Sequence, residues 1–292
     1  MSTEHPEQNV SYSGPITNTA RWENFQHRSD DIFVCTPPKC GTTWTQAICA
    51  MLVFGKVDHG QQPGVISPWI DAEFAPIEDY LQQVEAQSHR RFIKTHTPFD
   101  GIPYYPECDY FMIFRDPRDV FFSGLNHRDN MNDQELANSV FSISKFSEWT
   151  NAERAPGQWD HPSLESLTHF FNSYWPYRHL PNVHTFHYSN MKRDLEGSIT
   201  QMSVALGYTY SDAQLAAFAD AANFESMKNN AVQYAPESGT GMWKAESNFF
   251  ANGSSRQWEG KLTESELAEF DVRVRELVPA GAVDWFLNGA AS

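Results

Sequence analysis

The stretch DIFVCTPPKCGTTWTQAICAMLVFG, residues 31–55, decides how the chain folds. Asp31 to Thr36 form a short apolar run rich in strand formers, which Pro37-Pro38-Lys39-Cys40-Gly41 then breaks. Residues 42–55 bring apolar side chains back at helical spacing and end at Gly55, a helix stop. The unit reads as strand, tight loop, helix. Such a loop is a natural phosphate site, because backbone N–H groups at a helix N-terminus point at the anion and the helix dipole favours negative charge. Thr42 and Thr43 add hydroxyl donors, and Lys39 adds a point charge. The common triphosphate loop, G-x-x-x-x-G-K-[ST], does not fit. Lys39 precedes Gly41, and no glycine opens the loop. A kinase or ATPase reading therefore fails at its first motif.

Outward from this unit, RRFIKTH (90–96) reads as a second strand that stops before Pro98. DYFMIF (109–114) is a third, nearly all apolar, as expected of a strand buried on both faces. It runs into Arg115-Asp116-Pro117 and a helix from Asp119. NVHTFHY (182–188) is a fourth strand, followed by a helix through about Leu206. Strands alternating with helices predict a single α/β domain. Its central sheet is mainly parallel, flanked by helices on both sides, with a P-loop-like strand-loop-helix. Thr263 and Glu266 form a capping-box pattern, after which Leu267, Phe270, Val274, Leu277 and Val278 make one apolar helical stripe. Residues 1–25 read as a loose N-terminal arm and 26–292 as the domain. Residues 128–180, rich in aromatics and weakly periodic, are the expected place for variable acceptor-binding structure.

The chain has 292 residues, 40% hydrophobic and 20% charged, and a net charge of −16. That charge argues against a broad nucleic-acid or anionic-membrane surface. A cationic pocket for an anionic ligand must then come from a few placed Lys and Arg side chains. The cysteines, Cys35, Cys40, Cys49 and Cys108, form no CxxC pair and read as reduced thiols rather than a disulfide framework or zinc site. The opening MSTEHPEQNVSYSG is polar and lacks the basic and apolar regions of a signal peptide. The longest apolar run, Ile48 to Phe54, falls far short of the ~18–20 residues that span a bilayer. A cytoplasmic protein with no integral membrane segment is the expectation.

Two further spacings carry chemistry. Lys94 and His96 lie two residues apart, on one face of a strand. A histidine can accept a proton at neutral pH, although a lone one is more often structural. Arg115 is delivered at the end of an apolar strand, with Ser123 eight residues later on the following helix. The guanidinium fork suits a phosphate; an ion pair with Asp116 or Asp119 is the plainer alternative.

CTPPKCGTTWTQ resembles the 5'-phosphosulfate loop of the cytosolic sulfotransferase family, usually TYPKSGTTW. Thr36, Pro38, Lys39, Gly41, Thr42, Thr43 and Trp44 are kept, while Pro37 stands for Tyr and Cys40 for Ser. The family carries K-T-H at the end of the next strand, which falls on Lys94 and His96, and its 3'-phosphate motif falls on Arg115 and Ser123. The resemblance covers residues 30–286, and the segment from Ser67 to Pro103 is similar to bacterial, mycobacterial-type glycolipid sulfotransferases. It implies transfer of a sulfonate from 3'-phosphoadenosine-5'-phosphosulfate (PAPS) to a hydroxyl or amine of a small apolar molecule or glycolipid. The bisphosphate PAP is released and no metal is needed. It implies His96 as base, Lys39 on the leaving phosphate and Lys94 beside the sulfonate. Lys39, Cys40 through its backbone N–H, Gly41, Thr42 and Thr43 would hold the 5'-phosphate. Trp44 and Tyr188 would hold the adenine, with Phe224 lining the same pocket.

The family's C-terminal R-K-G-x-x-G-D-W corresponds to FFANGSSRQWEGKLT, where Gly253 and Trp258 hold their places. Ala251 and Asn252 replace the Arg-Lys pair, and Arg256 is the nearby cation expected to compensate beside Asn252 and Gly253. Charge-assisted phosphate bonds are worth roughly 1.5–3 kcal/mol each, so weaker PAPS binding is expected. The homodimer pattern K-x-x-x-T-V is degraded, with Glu259 and Glu264 at its Lys and Val positions. Phe25, Trp69, Tyr104, Phe121 and Phe122 are candidates for an apolar acceptor pocket, each also at home in the core. The competing readings are a small-molecule kinase using the same loop, a non-catalytic PAP or PAPS binder, and a related dehydratase or N-sulfating enzyme.

Overall fold

The computed structural model describes residues 5–250 and 253–289. Four strands, β1 (Ile32–Cys35), β2 (Phe92–Thr95), β3 (Asp109–Phe114) and β4 (Val183–His187), make one parallel sheet in the order β2-β1-β3-β4. These are the four strands expected from sequence, shortened by one or two residues at most ends.

Alternation along β1 divides the core. Phe33 and Cys35 join Ile93, Tyr110, Met112 and Phe114 on one face, packed against Phe170 and Phe171 of the helix Leu164–Tyr174 and Phe270 and Val274 of the helix Glu264–Leu277. Ile32 and Val34 join Phe92, Phe111 and Ile113 on the other, against Ile48, Met51 and Leu52 of the helix Thr42–Phe54 and Met202 and Phe218. The sheet is therefore covered on both sides, and β1 is buried throughout. The predicted capping box at Thr263 and Glu266 is formed.

The topology sets the site. The chain leaves β1 for β2 on one side and then crosses to β3 on the other. Ligand sites of open parallel sheets lie beyond the strand carboxyl ends where the order reverses this way. The loop after β1, His96 after β2, Arg115 after β3 and Tyr188 after β4 all emerge at that edge.

At the opposite strand ends, Arg91 and Asp31, both fully buried, form a two-pronged ion pair of 2.7 Å from Nε and 2.5 Å from Nη2. Nη2 also donates to the Gln26 carbonyl, and the guanidinium lies 5.3 Å from the Phe25 ring centroid. Arg91→Met leaves the Asp31 carboxylate buried without its counter-charge, a change that costs about 3–5 kcal/mol. Urea unfolding should register this loss. The double replacement with Asp31→Leu should recover part of it, because two apolar partners leave no stranded charge.

Two expectations need correction. Residues 1–25 are not a loose arm where they are described. Tyr12, Trp22 and Phe25 are buried in the main core, and the Asp160 carboxylate accepts the N–H groups of Ile16 and Thr17 at 2.9 and 2.6 Å. Isolated aromatics without a 2 or 3.6 period give no pattern to read, yet each buries a large apolar area. The helix after β4 is also two helices, Tyr188–Arg193 and Leu195–Ala205. Asp194 interrupts them and caps the second, its side chain accepting from Gly197 N–H at 2.9 Å.

Candidate active site

The loop between β1 and its helix turns through two left-handed residues, Lys39 (φ 69°) and Gly41 (φ 107°). A side chain at Gly41 would also meet the Tyr188 ring at 3.3 Å, so glycine is needed for both reasons. A non-glycine residue held in this region costs of order 1–3 kcal/mol, so the fold keeps Lys39 there against local preference. The Thr36 and Thr42 hydroxyls bond at 2.5 Å and tie the two ends of the loop together. The first N–H groups of the helix Thr42–Phe54 are thus left at a cavity wall, without a side-chain cap.

Two cavities meet at this loop. One, of about 180 Å³, is lined by Lys39, Gly41, Thr42, Thr43, Trp44, Arg115, Ser123, Tyr188, Phe224 and Gly253. The other, of about 380 Å³, holds Lys94, His96 and His127 among mainly apolar and amide side chains. Lys39, Thr42, Thr43 and Phe249 line both.

In the first cavity, Trp44 and Tyr188 present rings 5.1 Å apart at 63°, and Trp44 is anchored by its Nε1 donating to the Ala222 carbonyl at 2.7 Å. The Arg115 guanidinium lies 4.3 Å from the Tyr188 centroid and donates to the carbonyls of Lys39 at 3.4 Å and Ser254 at 3.2 Å. Asp119 is 3.8 Å away, and the buried Nε of Arg115 has no partner. Buried donors without acceptors are costly, so this cradle of N–H groups, hydroxyls and a half-used guanidinium fits an anion with an aromatic base.

In the second cavity, His96 Nδ1 lies 2.6 Å from the Thr36 carbonyl. A carbonyl only accepts, so Nδ1 carries the proton and Nε2 keeps its lone pair. Burial, reinforced by Lys94, holds the imidazole well below its ordinary range, and it is neutral at pH 7. Lys94 packs 4.1 Å from the Trp69 centroid, and burial lowers its ammonium to about 8. Asp71 fixes this strand end. Its Oδ2 accepts from Trp22 Nε1 at 3.1 Å and from the Thr95 and Thr97 hydroxyls, on either side of His96, at 2.8 and 2.6 Å. On the shared wall, Lys39 Nζ is 2.8 Å from His127 Nδ1, and burial, then Arg115 and Lys94, bring it down to about 7.

Eleven of the residues singled out in sequence therefore line one cavity or the other: Lys39, Gly41, Thr42, Thr43, Trp44, Lys94, His96, Arg115, Ser123, Tyr188 and Phe224. Gly253 joins them, packed so close to the Phe224 ring that a Cβ would lie 2.2 Å from it. Cys40 does not. Its side chain belongs to the core, burial raises its thiol to about 12, and its N–H already donates to the Pro37 carbonyl at 3.2 Å. Arg256 also falls outside, its side chain 70% exposed and 3.4 Å from Glu259. Its left-handed backbone (φ 59°) directs its N–H to Asp119, at 2.9 Å, instead. Asn252 lies outside the described residues. Of the acceptor aromatics, Trp69 alone lines the larger cavity, while Phe25, Tyr104, Phe121 and Phe122 are part of the main core or packed against it. The 128–180 segment contributes Met131, Leu136, Val140, Phe141 and Asp160 to that cavity.

Among the lining residues that escaped the sequence reading are two basic ones. His127 stands one helical turn after Ser123, so an i, i+4 reading of the helix Pro117–Asn130 could have found it. Lys192 stands one turn after Tyr188 in the same manner.

Comparison with known proteins agrees with this geometry. The model of the sulfotransferase domain family matches residues 29–280. A glycolipid sulfotransferase of Mycobacterium bovis is 31% identical, over 99% of this chain and 98% of that protein. Sulfotransferase 1B1 of the dog is 26% identical over 86% of this chain and 85% of its own length. The crystal structure of mouse sulfotransferase SULT7A1 complexed with PAP superposes with a TM-score of 0.73 at 22% identity, covering 94% of this chain and 93% of that one. A family match over most of the chain, with the loop after β1 and the strand-end histidine and arginine gathered at one sheet edge, establishes that the chain belongs to the sulfotransferase domain family, enzymes that transfer a sulfonate group.

Proposed function

We propose that the protein transfers a sulfonate from PAPS, bound in the smaller cavity, to a hydroxyl of a glycolipid in the larger one, with His96 as general base. The observation that carries this reading is the shared wall. Lys39, Thr42 and Thr43 border both cavities, so a sulfonate held there faces the donor-binding groups on one side and the imidazole on the other.

The donor contributes a sulfonate already bonded to a phosphate leaving group, so the acceptor O–S bond forms as that phosphate S–O bond breaks. Nε2 of His96, oriented by the Thr36 carbonyl, takes the acceptor proton. Lys39 and the helix N–H groups balance charge growing on the departing phosphate, and Lys94 steadies the sulfonyl oxygens. Fixed donors of this kind act where charge develops and need no reorganisation. Arg115 and Ser123 hold the 3'-phosphate, and Trp44 and Tyr188 hold the adenine.

The lining of the larger cavity supports a glycolipid. Gln46, Gln62, Gln83 and Gln233 offer amides, and Trp69, Tyr80 and Trp243 offer flat faces, a combination suited to sugar hydroxyls and ring C–H groups. Val65 and Phe74 line the same cavity while 52% and 53% exposed, leaving an apolar rim for a lipid tail. The glycolipid sulfotransferases of mycobacteria among its relatives support the same acceptor class.

Sulfur-labelled PAPS incubated with glycolipids, steroids, phenols and amines should label a glycolipid most efficiently. Release of PAP should depend on the acceptor and not on magnesium. Tight PAP binding without turnover on any acceptor would instead favour a non-catalytic binder.

A further inference from the structure

The sequence places no charge at Ala251 or Asn252, and the Arg256 side chain turns to solvent. The end of the donor cavity bounded by Arg115, Ser123 and Gly253 nevertheless has a second cation. Lys192 lines it from the short helix Tyr188–Arg193, one turn beyond Tyr188 and on the same face. Its ammonium donates to the Gly253 carbonyl, which leaves two of its three N–H groups for another acceptor.

The local charges are unbalanced. Burial and Arg115 hold the Lys192 ammonium below its ordinary range, and Asp119 is the acid that offsets them. Asp119 is already engaged, accepting N–H groups from Arg256 at 2.9 Å and Gln257 at 2.7 Å while facing Arg115 at 3.8 Å. The Arg115 Nε, in a side chain nine-tenths buried, has no acceptor. Two cations with one shared, occupied carboxylate and an idle buried donor form a site suited to an anion.

We infer that Lys192 grips the 3'-phosphate of the donor together with Arg115 and supplies the positive charge that the 251–252 segment does not. This rests on the PAPS reading above and adds the residue that completes its 3'-phosphate end. Lys192 sits at the exposed rim, so replacing it should leave the fold intact. One charge-assisted bond there is worth the low end of its usual range, about tenfold in affinity.

The test is calorimetry of PAP and of adenosine 5'-phosphate, which lacks the 3'-phosphate, on the wild-type protein, Lys192→Ala and Lys192→Arg. Lys192→Ala should weaken PAP about tenfold and change adenosine 5'-phosphate less than about twofold. Lys192→Arg should restore PAP binding. Unchanged PAP affinity in Lys192→Ala, or equal weakening of both ligands, overturns the assignment. A wild-type protein that does not bind PAP at all overturns the donor reading first and this inference with it, an outcome distinct from the other two.

Discussion

Replacing His96 with asparagine is expected to lower kcat by about a hundred- to ten-thousand-fold, the range contributed by a positioned general base. PAP affinity should stay within about twofold, since the imidazole lines the larger cavity and not the smaller one proposed for the donor. Asparagine is the informative choice. Its amide N–H can still donate to the Thr36 carbonyl, which holds the Nδ1–H of His96 at 2.6 Å, so the strand end keeps its anchor. What is lost is the Nε2 lone pair. The low proton affinity of the imidazole arises from burial and from Lys94 and Lys39 beside it. Donor negative charge offsets those two cations and makes Nε2 a stronger base when the acceptor is in place. The acid limb of the kcat profile measured with saturating donor should accordingly disappear in His96→Asn. Near-normal turnover in that variant would remove His96 from the chemistry.

The parts of this site that could be read from sequence are those set by local rules. The loop was legible because a β-type run, two prolines, a glycine and a 3.6-periodic stretch follow one another within residues 31–55. Lys94 and His96 were legible as neighbours because a strand has a period of two, and both do line one cavity. Arg115 followed from its place at the end of an apolar strand. Sequence position could not show how the C-terminal segment is aimed. Arg256 and Lys192 are both cations near an expected phosphate. A left-handed backbone turns the first outward, while a helical turn carries the second to the cavity rim. Cys40 stands between two lining residues, yet its side chain belongs to the core, because the turn at Lys39 and Gly41 reverses which side faces the cavity. His127 shares a helix face with Ser123, but its contact with Lys39, 88 positions away in sequence, is long-range and not read from that spacing.

Lys39 carries the second large expectation, because it serves both cavities. Burial, Arg115 and Lys94 bring its ammonium down to about 7. A proton-binding group with that value is more than half neutral above neutral pH, and only its charged form balances a phosphate. PAP binding between about pH 7 and 8 should therefore draw in a proton, and affinity should fall as pH rises, by up to tenfold per unit, from linkage of the two equilibria. Titrations in buffers of different ionisation enthalpy measure that uptake. Lys39→Met should abolish it and weaken PAP by about ten- to a hundredfold, the value of one buried charge-assisted bond. It should lower kcat by a further hundred- to thousandfold, since negative charge grows on the departing phosphate as its S–O bond breaks. Lys94, lowered to about 8, is another lysine close enough to neutrality to take up the proton. In the proposed reading it faces the sulfonate, which PAP lacks. Persistent uptake in Lys39→Met would thus move the proton to Lys94 and place the bisphosphate nearer β2 than the loop geometry allows.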